Sequence, residues 1–378
     1  MSGWPGKYAI GLTGNIATGK SVVRKMLEHL GAYGIDADAL GHRAIARDAP
    51  GYQPVLDTFG RWILGPDGQI DRSKLARLVF ANPDALVRLE AIVHPLVGQA
   101  VDILIRRSSQ KVIVIEAIKL IESGLISRCD SLWVSNASQE IQLARLMQKR
   151  GMDEATARQR IQSQPDAGQK IALANVIIRN EASFEETWMH VLKAWQSIFP
   201  TPEPVAIQPA KAAHKGEKAV QRARPRQAAE IADLINRLSA GQRKLSRADV
   251  MASFGEKAFL LLTVDGIPAG VVGWKVENLV ARIDDVYIED SLPFAEAMHI
   301  LMHEVERASR ELQCEAALLF LPASLPNSEG LASQLGYQSR SVQGLGVRAW
   351  QEAAVESMPA NSMMSFKQLR QDRVLRPV

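Results

Sequence analysis

Short apolar runs alternate with longer amphipathic stretches over the first half of the chain. The apolar runs predict strands at Tyr8 to Leu12, Tyr33 to Asp36, Lys111 to Ile115 and Ser131 to Ser135, and the pattern from Gly19 to Leu30 predicts a helix. Strands that alternate with helices are typical of βαβ units. The first half is therefore predicted to be an α/β domain, with a parallel sheet flanked by helices.

The second half of the chain has a different pattern. Ala228 to Leu238 is amphipathic, and the turn residues Asp265 and Gly266 separate two predicted strands, Phe259 to Val264 and Val271 to Val276. The rest predicts a strand, a long helix and a last strand, at Ala281 to Ile288, Pro293 to Leu312 and Ala316 to Leu321. An antiparallel hairpin next to a long helix indicates a mixed α+β domain.

Between the two halves, Pro200 to Lys218 contains four prolines and five charged residues without a periodic apolar face. Such a segment is typical of an extended linker, and a length of 378 residues also favours two domains. We predict a first domain at residues 1–199, a linker at 200–218 and a second domain at 219–378. We expect few contacts between the domains, so that the first 200 residues fold and act alone.

The amino-acid composition and charge of the chain limit the classes of protein to which it can belong. Hydrophobic residues make up 47% and charged residues 23% of the chain, as in soluble globular proteins. No apolar run reaches the roughly 18 residues of a membrane span, and the N-terminal residues lack the apolar core of a signal peptide. We therefore expect a cytoplasmic protein without a membrane partner, and the sparse cysteines, Cys129 and Cys314, fit a reducing compartment. A net charge of +4 gives no separate support for nucleic acid as a partner.

A phosphate-binding motif joins the first predicted strand to the first predicted helix. The residues that match GxxxxGK[ST] are Gly14, Asn15, Ile16, Ala17, Thr18, Gly19, Lys20 and Ser21. Glycines let backbone N–H groups surround phosphate oxygens, and the helix N-terminus adds its dipole. We expect Lys20 to contact the β- and γ-phosphates of ATP and Ser21 to hold Mg²⁺.

Two carboxylates lie at the end of the second predicted strand, which in an open parallel sheet is beside the phosphate-binding loop. Asp36 can accept the proton of an attacking hydroxyl there, or help to organise the metal, and it can equally cap the following helix. Asp38 also has the position of a helix cap. The residues alone leave these roles open.

Two basic features are ambiguous when they are taken alone. Gln142 to Met152 predicts a helix that carries Arg145, Lys149 and Arg150, and such a helix suits a solvated face as well as a phosphate-binding lid. His94 precedes a proline and is, by itself, typical of a hydrogen-bonded structural histidine.

Residues 8 to 195 resemble the dephospho-CoA kinase family, because seven segments occur in its order and at its spacing: IGLTGNIATGKS, GIDADALGHRAI, LEAIVHPLV, IKLIESGL, QLARLMQKRGM, RIQSQ and NVIIRN. The resemblance implies ATP-dependent phosphorylation of the 3′-hydroxyl of dephospho-CoA. This reaction gives CoA and ADP, and it is the last step of coenzyme A biosynthesis. The resemblance also implies that Asp36 is the general base and that Arg145 acts with Lys20 on the transferring phosphate.

The same resemblance assigns binding residues. It extends the ATP contacts of the motif to Val22 and Asn180, and it places Asp38, His94 and Lys119 on the side of dephospho-CoA. The chain departs from the family in the DxPLLFE segment, which reads Glu116 to Glu122 here without the proline. Further departures, which leave Lys20, Ser21 and Asp36 in place, are Asn15, His42 and Asn175.

Residues 219–378 resemble the GCN5-related N-acetyltransferase fold through the hairpin, the strand Ala281 to Ile288 and the segment Gly330 to Tyr337. Active members have a glycine-rich loop for the pyrophosphate of acetyl-CoA, where this chain has Glu289, Asp290 and Pro293. Carboxylates repel a pyrophosphate, and proline has no N–H to donate. We expect an acetyltransferase-like domain without acetyl transfer, and a domain that only packs or oligomerises fits equally well.

Two other functions remain open on the sequence. One is a kinase for another small hydroxyl compound or a nucleoside monophosphate, because the loop and lid are shared across that class. The other is a nucleotide-binding regulatory protein whose second domain contacts a partner. The sequence leaves the oligomeric state undetermined.

Overall fold

The structure, a computed structural model, describes residues 3–200, 216–239, 241–323 and 325–375. Residues 201–215, which form most of the predicted linker, lie outside this part of the chain. Two sheets organise the described residues, one of five strands in the first half and one of seven strands in the second half.

The sheet of the first domain is parallel throughout, in the order β2-β3-β1-β4-β5. Its strands are β1 (Tyr8–Thr13), β2 (Tyr33–Asp36), β3 (Val112–Glu116), β4 (Ser131–Asn136) and β5 (Val176–Arg179). The helices are α1 (Lys20–His29), α2 (Ala37–Ala44), α3 (Tyr52–Phe59), α4 (Arg72–Ala81), α5 (Pro83–Arg107), α6 (Gln139–Arg150), α7 (Glu154–Gln162), α8 (Ala167–Leu173) and α9 (Phe184–Ile198). The predicted α/β fold is confirmed.

Helices cover both faces of this sheet, so its strands are apolar on both sides. Along β1, Ala9 packs into one apolar cluster and Ile10 and Leu12 into the other. Polar side chains are therefore concentrated at the ends of the strands. The register places Asp36 directly opposite Glu116, and Glu116 is also paired with Leu12 of β1. The carboxyl ends of β1, β2 and β3 thus meet at one edge of the sheet.

The second domain is mixed, as predicted. Its elements are β6 (Lys218–Arg222), α10 (Ala228–Leu238), α11 (Arg247–Ser253), β7 (Ala258–Val264), β8 (Ile267–Glu277), β9 (Val280–Ile288), α12 (Phe294–Glu311), β10 (Ala316–Pro322), α13 (Ser328–Gln334), β11 (Gln338–Ser339), α14 (Arg348–Ser357) and β12 (Ser362–Gln368). The strand order is β11-β12-β10-β9-β8-β7-β6. Only β9 and β10 pair in parallel among the described strands of this sheet, and the predicted hairpin is formed by β7 and β8.

The two domains contact each other through buried polar groups. Arg43 on α2 forms a buried ion pair with Glu315, which is completely inaccessible to solvent. Its guanidinium also donates to the carbonyl oxygen of Asn278, at 2.7 Å. The Lys25 ammonium donates to the carbonyl oxygen of Val276 at 2.9 Å. Buried charges need such partners, so these contacts fix one domain against the other.

Apolar residues from both domains also share one core. Tyr33, Ile35 and Leu104 of the first domain belong to the same buried cluster as Leu279 and Val374 of the second. The sequence led us to expect few contacts between the domains. The observed interface is instead continuous with the core of the first domain, because apolar side chains on α2, α5 and β2 are covered by the second domain.

No helix in the described ranges is both long and apolar enough to cross a membrane.

Removing the buried cation at the interface is expected to destabilise the whole chain. Arg43→Ala should lower the free energy of unfolding by about 3 kcal/mol, because Glu315 then stays buried without the guanidinium of Arg43. Arg72→Ala is the control, since the Arg72–Glu352 pair also joins the domains but its side chains are 41% and 32% exposed. Its loss should cost less than about 1 kcal/mol. Urea unfolding measures both variants, and equal losses would contradict the buried role of Arg43.

Candidate active site

The phosphate-binding loop ends where α1 begins, at Lys20. Gly19 precedes the helix with a φ angle of 91°, and no side chain caps the first turn. A Cβ atom on Gly19 would lie 1.8 Å from Nδ2 of Asn180, and one on Gly14 would lie 2.3 Å from the carbonyl oxygen of Ser135. Only glycine fits at both positions. The uncapped N–H groups of the first turn are the arrangement that binds anions.

Neighbouring elements hold the loop in place. The carbonyl oxygen of Thr18 accepts hydrogen bonds from Ser135 Oγ at 2.8 Å and from Asn180 Nδ2 at 3.0 Å. On the opposite side of the loop, Ile16 N donates to Gln164 Oε1 at 3.1 Å. The Asn15 side chain donates to the carbonyl oxygen of Pro165 at 3.0 Å. The loop is therefore fixed by β4, by the end of β5 and by the connection between α7 and α8.

The side chains of Lys20 and Ser21, which the motif assigns to phosphate and metal binding, have different hydrogen-bond partners. The Lys20 ammonium is buried and donates to the carbonyl oxygen of Asn15 at 3.2 Å, across the loop. The Ser21 hydroxyl donates to Oε1 of Glu116 at 2.8 Å, and Arg24 Nε donates to the other carboxylate oxygen at 2.7 Å. Glu116 thus links the first turn of α1 to the end of β3.

Asp36 fills one of the roles that the sequence left open, the cap of α2. Its Oδ1 accepts from Ala39 N at 2.8 Å and caps α2. The cap uses one carboxylate oxygen. Burial and the nearby charge of Glu116 raise the pKa of Asp36, and the Arg24 guanidinium and the cap hydrogen bond oppose this increase. Asp36 is therefore a partly buried carboxylate beside the buried carboxylate of Glu116, at the edge of the sheet where the loop lies.

Asp38 does not cap the helix, which was one of the roles that the sequence left open for it. It lies inside the first turn of α2, and its Oδ2 accepts from Ile118 N at 3.0 Å. The strand ends one residue before α2 begins, which gives the cap position to Asp36. Burial and the charge of Asp36 raise the pKa of Asp38 to about 6, although the hydrogen bond from Ile118 acts in the opposite direction.

The basic helix is α6, and one of its arginines reaches the loop. Arg145 Nη1 donates to the carbonyl oxygen of Ala17 at 3.2 Å, and Nη2 donates to the carbonyl oxygen of Asn180 at 2.9 Å. Partial burial lowers the pKa of Arg145. Lys149 is exposed and lies 3.8 Å from Glu256 of the second domain. The side chain of Arg150 lies outside the described part of the structure.

The resemblance places His94 and Lys119 on the substrate side, and neither the groove that His94 lines nor the ion pair of Lys119 includes a residue of the phosphate-binding loop. His94 lines a groove between α5 and the segment 123–125. Lys119 is half-exposed and forms an ion pair with Glu90 on α5. Both residues lie near α5, so the structure groups them on one side of the domain. Their role toward dephospho-CoA stays a prediction.

Sequence reasoning missed two charged residues at this site. Glu116 bonds Ser21 and Arg24, and its signal was available, since it directly follows a buried apolar run on the strand next to β2. Lys170 on α8 is buried and donates to the carbonyl oxygen of Ile118 at 2.9 Å. Burial lowers the pKa of Lys170, and the charges of Glu122 and Asp38 oppose the change. No local pattern distinguishes Lys170 from a surface lysine.

The first half of the chain is similar to known dephospho-CoA kinases. The family model described as CoaE, dephospho-CoA kinase, matches residues 8–186. A dephospho-CoA kinase of Geobacter metallireducens is 42% identical over 190 residues, which are 50% of this chain and 94% of that protein. The resemblance found in the sequence segments is confirmed. The relative has little length that corresponds to the second domain.

Two solved structures are also similar to parts of the chain. The crystal structure of TT1252 from Thermus thermophilus has 30% sequence identity and a TM-score of 0.47, and covers 51% of this chain and 98% of its own. The PaiA N-acetyltransferase of Thermoplasma acidophilum, solved in complex with coenzyme A, has 9% identity and a TM-score of 0.32. That match covers 40% of this chain and 99% of the acetyltransferase.

The raised pKa of Asp38 gives a prediction about stability and pH. A carboxyl group with a raised pKa in the folded state contributes most stability below its unfolded pKa and loses this contribution as the pH rises through about 6. The variant Asp38→Asn has no carboxyl group at this position, so its stability does not decrease in this way as the pH rises. Relative to the unchanged chain, its free energy of unfolding should rise by about 1 kcal/mol between about pH 5 and about pH 8. Urea unfolding at both pH values measures this, and a difference that is flat with pH would contradict the assignment.

Proposed function

Because the chain belongs to the dephospho-CoA kinase family, we propose that the site described above carries out the family reaction with Asp36 as the general base. The γ-phosphate of ATP is transferred to the 3′-hydroxyl of dephospho-CoA, which gives CoA and ADP. The observation that supports this assignment best is the position of Asp36, a partly buried carboxylate with a raised pKa at the edge of the sheet that also carries the phosphate-binding loop.

The loop from Gly14 to Val22 supplies the ATP site. Its backbone N–H groups and the uncapped N-terminus of α1 favour the triphosphate, and the Lys20 ammonium follows the transferring γ-phosphate. The Lys20 ammonium donates a hydrogen bond to the carbonyl oxygen of Asn15, and this contact holds the ammonium against the loop. Asn180 shapes the loop through Thr18 and adds to the ATP site from the end of β5.

Asp36 accepts the proton of the 3′-hydroxyl as this oxygen attacks phosphorus. A carboxylate is a stronger base when its pKa is raised, and burial next to Glu116 raises the pKa of Asp36. Because the cap hydrogen bond uses Oδ1, α2 orients the carboxylate group. Oδ2 is the oxygen to which we assign the proton.

Arg145 stabilises the negative charge on the transferring phosphate. Its guanidinium lies against the loop backbone at Ala17 and against Asn180, so α6 delivers a cation to the position where the triphosphate binds. The carbonyl oxygens of Ala17 and Asn180 accept hydrogen bonds from the guanidinium and hold it in this position. Phosphate oxygens are stronger acceptors, and we expect Arg145 to turn to them when ATP binds.

Magnesium is the metal that this chemistry uses, and the residues present fit it. Ser21 and Glu116 bring a hydroxyl and a carboxylate oxygen within 2.8 Å of each other at the start of α1. Mg²⁺ prefers such oxygen ligands and takes the rest of its shell from phosphates and water. The described residues contain no cluster of three or more metal-binding side chains. When bound, the ion neutralises charge on the phosphates.

The dephospho-CoA side is assigned to Asp38, His94 and Lys119. The groove that His94 lines is bounded by Pro95, Gly98 and Leu125 and accommodates an apolar group. Lys119 offers a cation whose ion pair with Glu90 is accessible to solvent, so an anionic group of the substrate can compete for it.

For the second domain we propose a role other than acetyl transfer. Glu289 and Asp290 precede α12, whose N-terminus follows Pro293. Glu289 forms an ion pair with Arg237, which compensates the negative charge of Glu289. The negative charge of Asp290 remains. The proline removes one donor from the turn that would face a pyrophosphate.

The assignment of Asp36 as the base is tested by Asp36→Asn. An amide keeps the size of the side chain but does not take up the proton, so kcat with dephospho-CoA should fall by about 100-fold or more. The affinity for ATP, measured by calorimetric titration, should change little. Asp57→Asn, at an exposed position of α3, is the control and should leave kcat unchanged. If Asp36→Asn raised only the KM for ATP, Asp36 would be a nucleotide contact and not the base.

A further inference from the structure

The segment that carries Asp36 faces the second domain. A cleft between the domains is lined on one side by Ile35, Asp36 and Ala39 of the first domain. On the other side it is lined by Val276 and Glu277 at the end of β8 and by the two residues that connect β8 to β9, Asn278 and Leu279. The environment of the proposed base is therefore built partly by residues that lie more than half the chain away in the sequence.

The connection between β8 and β9 is a tight turn with a defined shape. Asn278 and Leu279 have φ angles of 50° and 60°, so both residues of the turn adopt the left-handed conformation. This shape directs the carbonyl oxygen of Asn278 to Arg43, and it places the buried Leu279 in the cluster that contains Tyr33 and Ile35. The turn thus contacts β2 with an apolar side chain and α2 with a backbone acceptor.

Helix α2 is held at both ends. Asp36 caps its first turn, and Arg43 anchors its last turn through Asn278 and the fully buried Glu315. The helix has eight residues, so a shift at Arg43 is transmitted to the cap. A short helix has little stability of its own and depends on such tertiary contacts.

Helix α1 contacts the end of β8, directly before the same turn. The Lys25 ammonium bonds Glu28 and the carbonyl oxygen of Val276, at 2.9 Å in each case. Arg24, the neighbour of Lys25 in sequence, bonds Glu116. The turn is therefore connected both to the segment of the proposed base and to the carboxylate beside it.

We propose that the β8–β9 turn of the second domain is a positioning element of the kinase site, which holds β2 and α2 so that Asp36 is oriented for catalysis. The proposal rests on the proposed function of Asp36. It gives the second domain a role in the reaction without any ligand of its own. It also predicts that the first domain of this chain depends on the second, contrary to the expectation from the sequence.

The contact is tested in the full chain with Leu279→Ala, which removes apolar volume beneath β2 and leaves the backbone of the turn in place. We expect kcat with dephospho-CoA to fall by about tenfold or more, since small displacements of a catalytic group have effects of this size. The KM for ATP should stay within about twofold, because the turn does not contact the phosphate-binding loop. Amide hydrogen exchange at residues 36–40 should become faster.

Ile267→Ala is the matched control. It removes the same kind of side chain from the other end of β8, where Ile267 is 69% exposed, and it should change neither kcat nor exchange. A Leu279→Ala chain that is folded and retains the kcat of the unchanged chain would overturn the proposal. If Leu279→Ala is insoluble, Leu279→Met is measured instead, since methionine is unbranched at Cβ and leaves the left-handed turn unstrained, with an expected loss of about threefold. A kcat equal to that of the unchanged chain again overturns the proposal.

The failure of the proposed function gives a different result. In that case the unchanged chain does not phosphorylate dephospho-CoA, and the kcat comparison does not apply. Amide exchange then decides alone whether the turn holds the segment. Faster exchange at residues 36–40 in Leu279→Ala supports the contact, and unchanged exchange overturns it.

Discussion

The buried guanidinium of Arg24 lies between the carboxylates of Glu28 and Glu116, at 2.7 Å from each. These charges raise the pKa of Arg24, so the group stays protonated although burial opposes it. The arrangement is required because the partly buried Asp36 and the buried Glu116 lie side by side at the ends of adjacent strands, where two uncompensated carboxylates would repel each other. Arg24 therefore allows the sheet to present carboxylates next to a phosphate-binding loop.

The same network reaches the second domain through Glu28, whose carboxylate also bonds Lys25, and through the contact of Lys25 with Val276. Burial opposes ionisation of Glu28, but the neighbouring cations lower its pKa to about 2. Arg24, Lys25, Glu28 and Glu116 thus each have a charged partner, and this network joins α1, β3 and the end of β8. The interface joins the kinase site to the second domain because the site needs these buried charges.

Much of the fold and part of the site were predictable from the sequence. The loop from Gly14 to Ser21 and the strand that ends at Asp36 are local patterns, and the structure has both where they were expected. Glu116 was missed because its role comes from strand β2 and helix α1, which pairing across the sheet brings to it. Lys170 was missed because only its burial in the folded chain distinguishes it from a surface lysine. The interface was missed because its contacts join residues more than 200 positions apart, which leave no periodic signal.

The central claim is that this site moves a phosphate from ATP to the 3′-hydroxyl of dephospho-CoA. Its most direct measurement is the analysis of products, by chromatography and mass spectrometry, after incubation of the full chain with ATP, magnesium and dephospho-CoA. The expected products are CoA, with the new phosphate on the 3′-hydroxyl, and ADP in an equal amount. Release of ADP without CoA, or preferred phosphorylation of a nucleoside monophosphate offered in the same mixture, would contradict this claim.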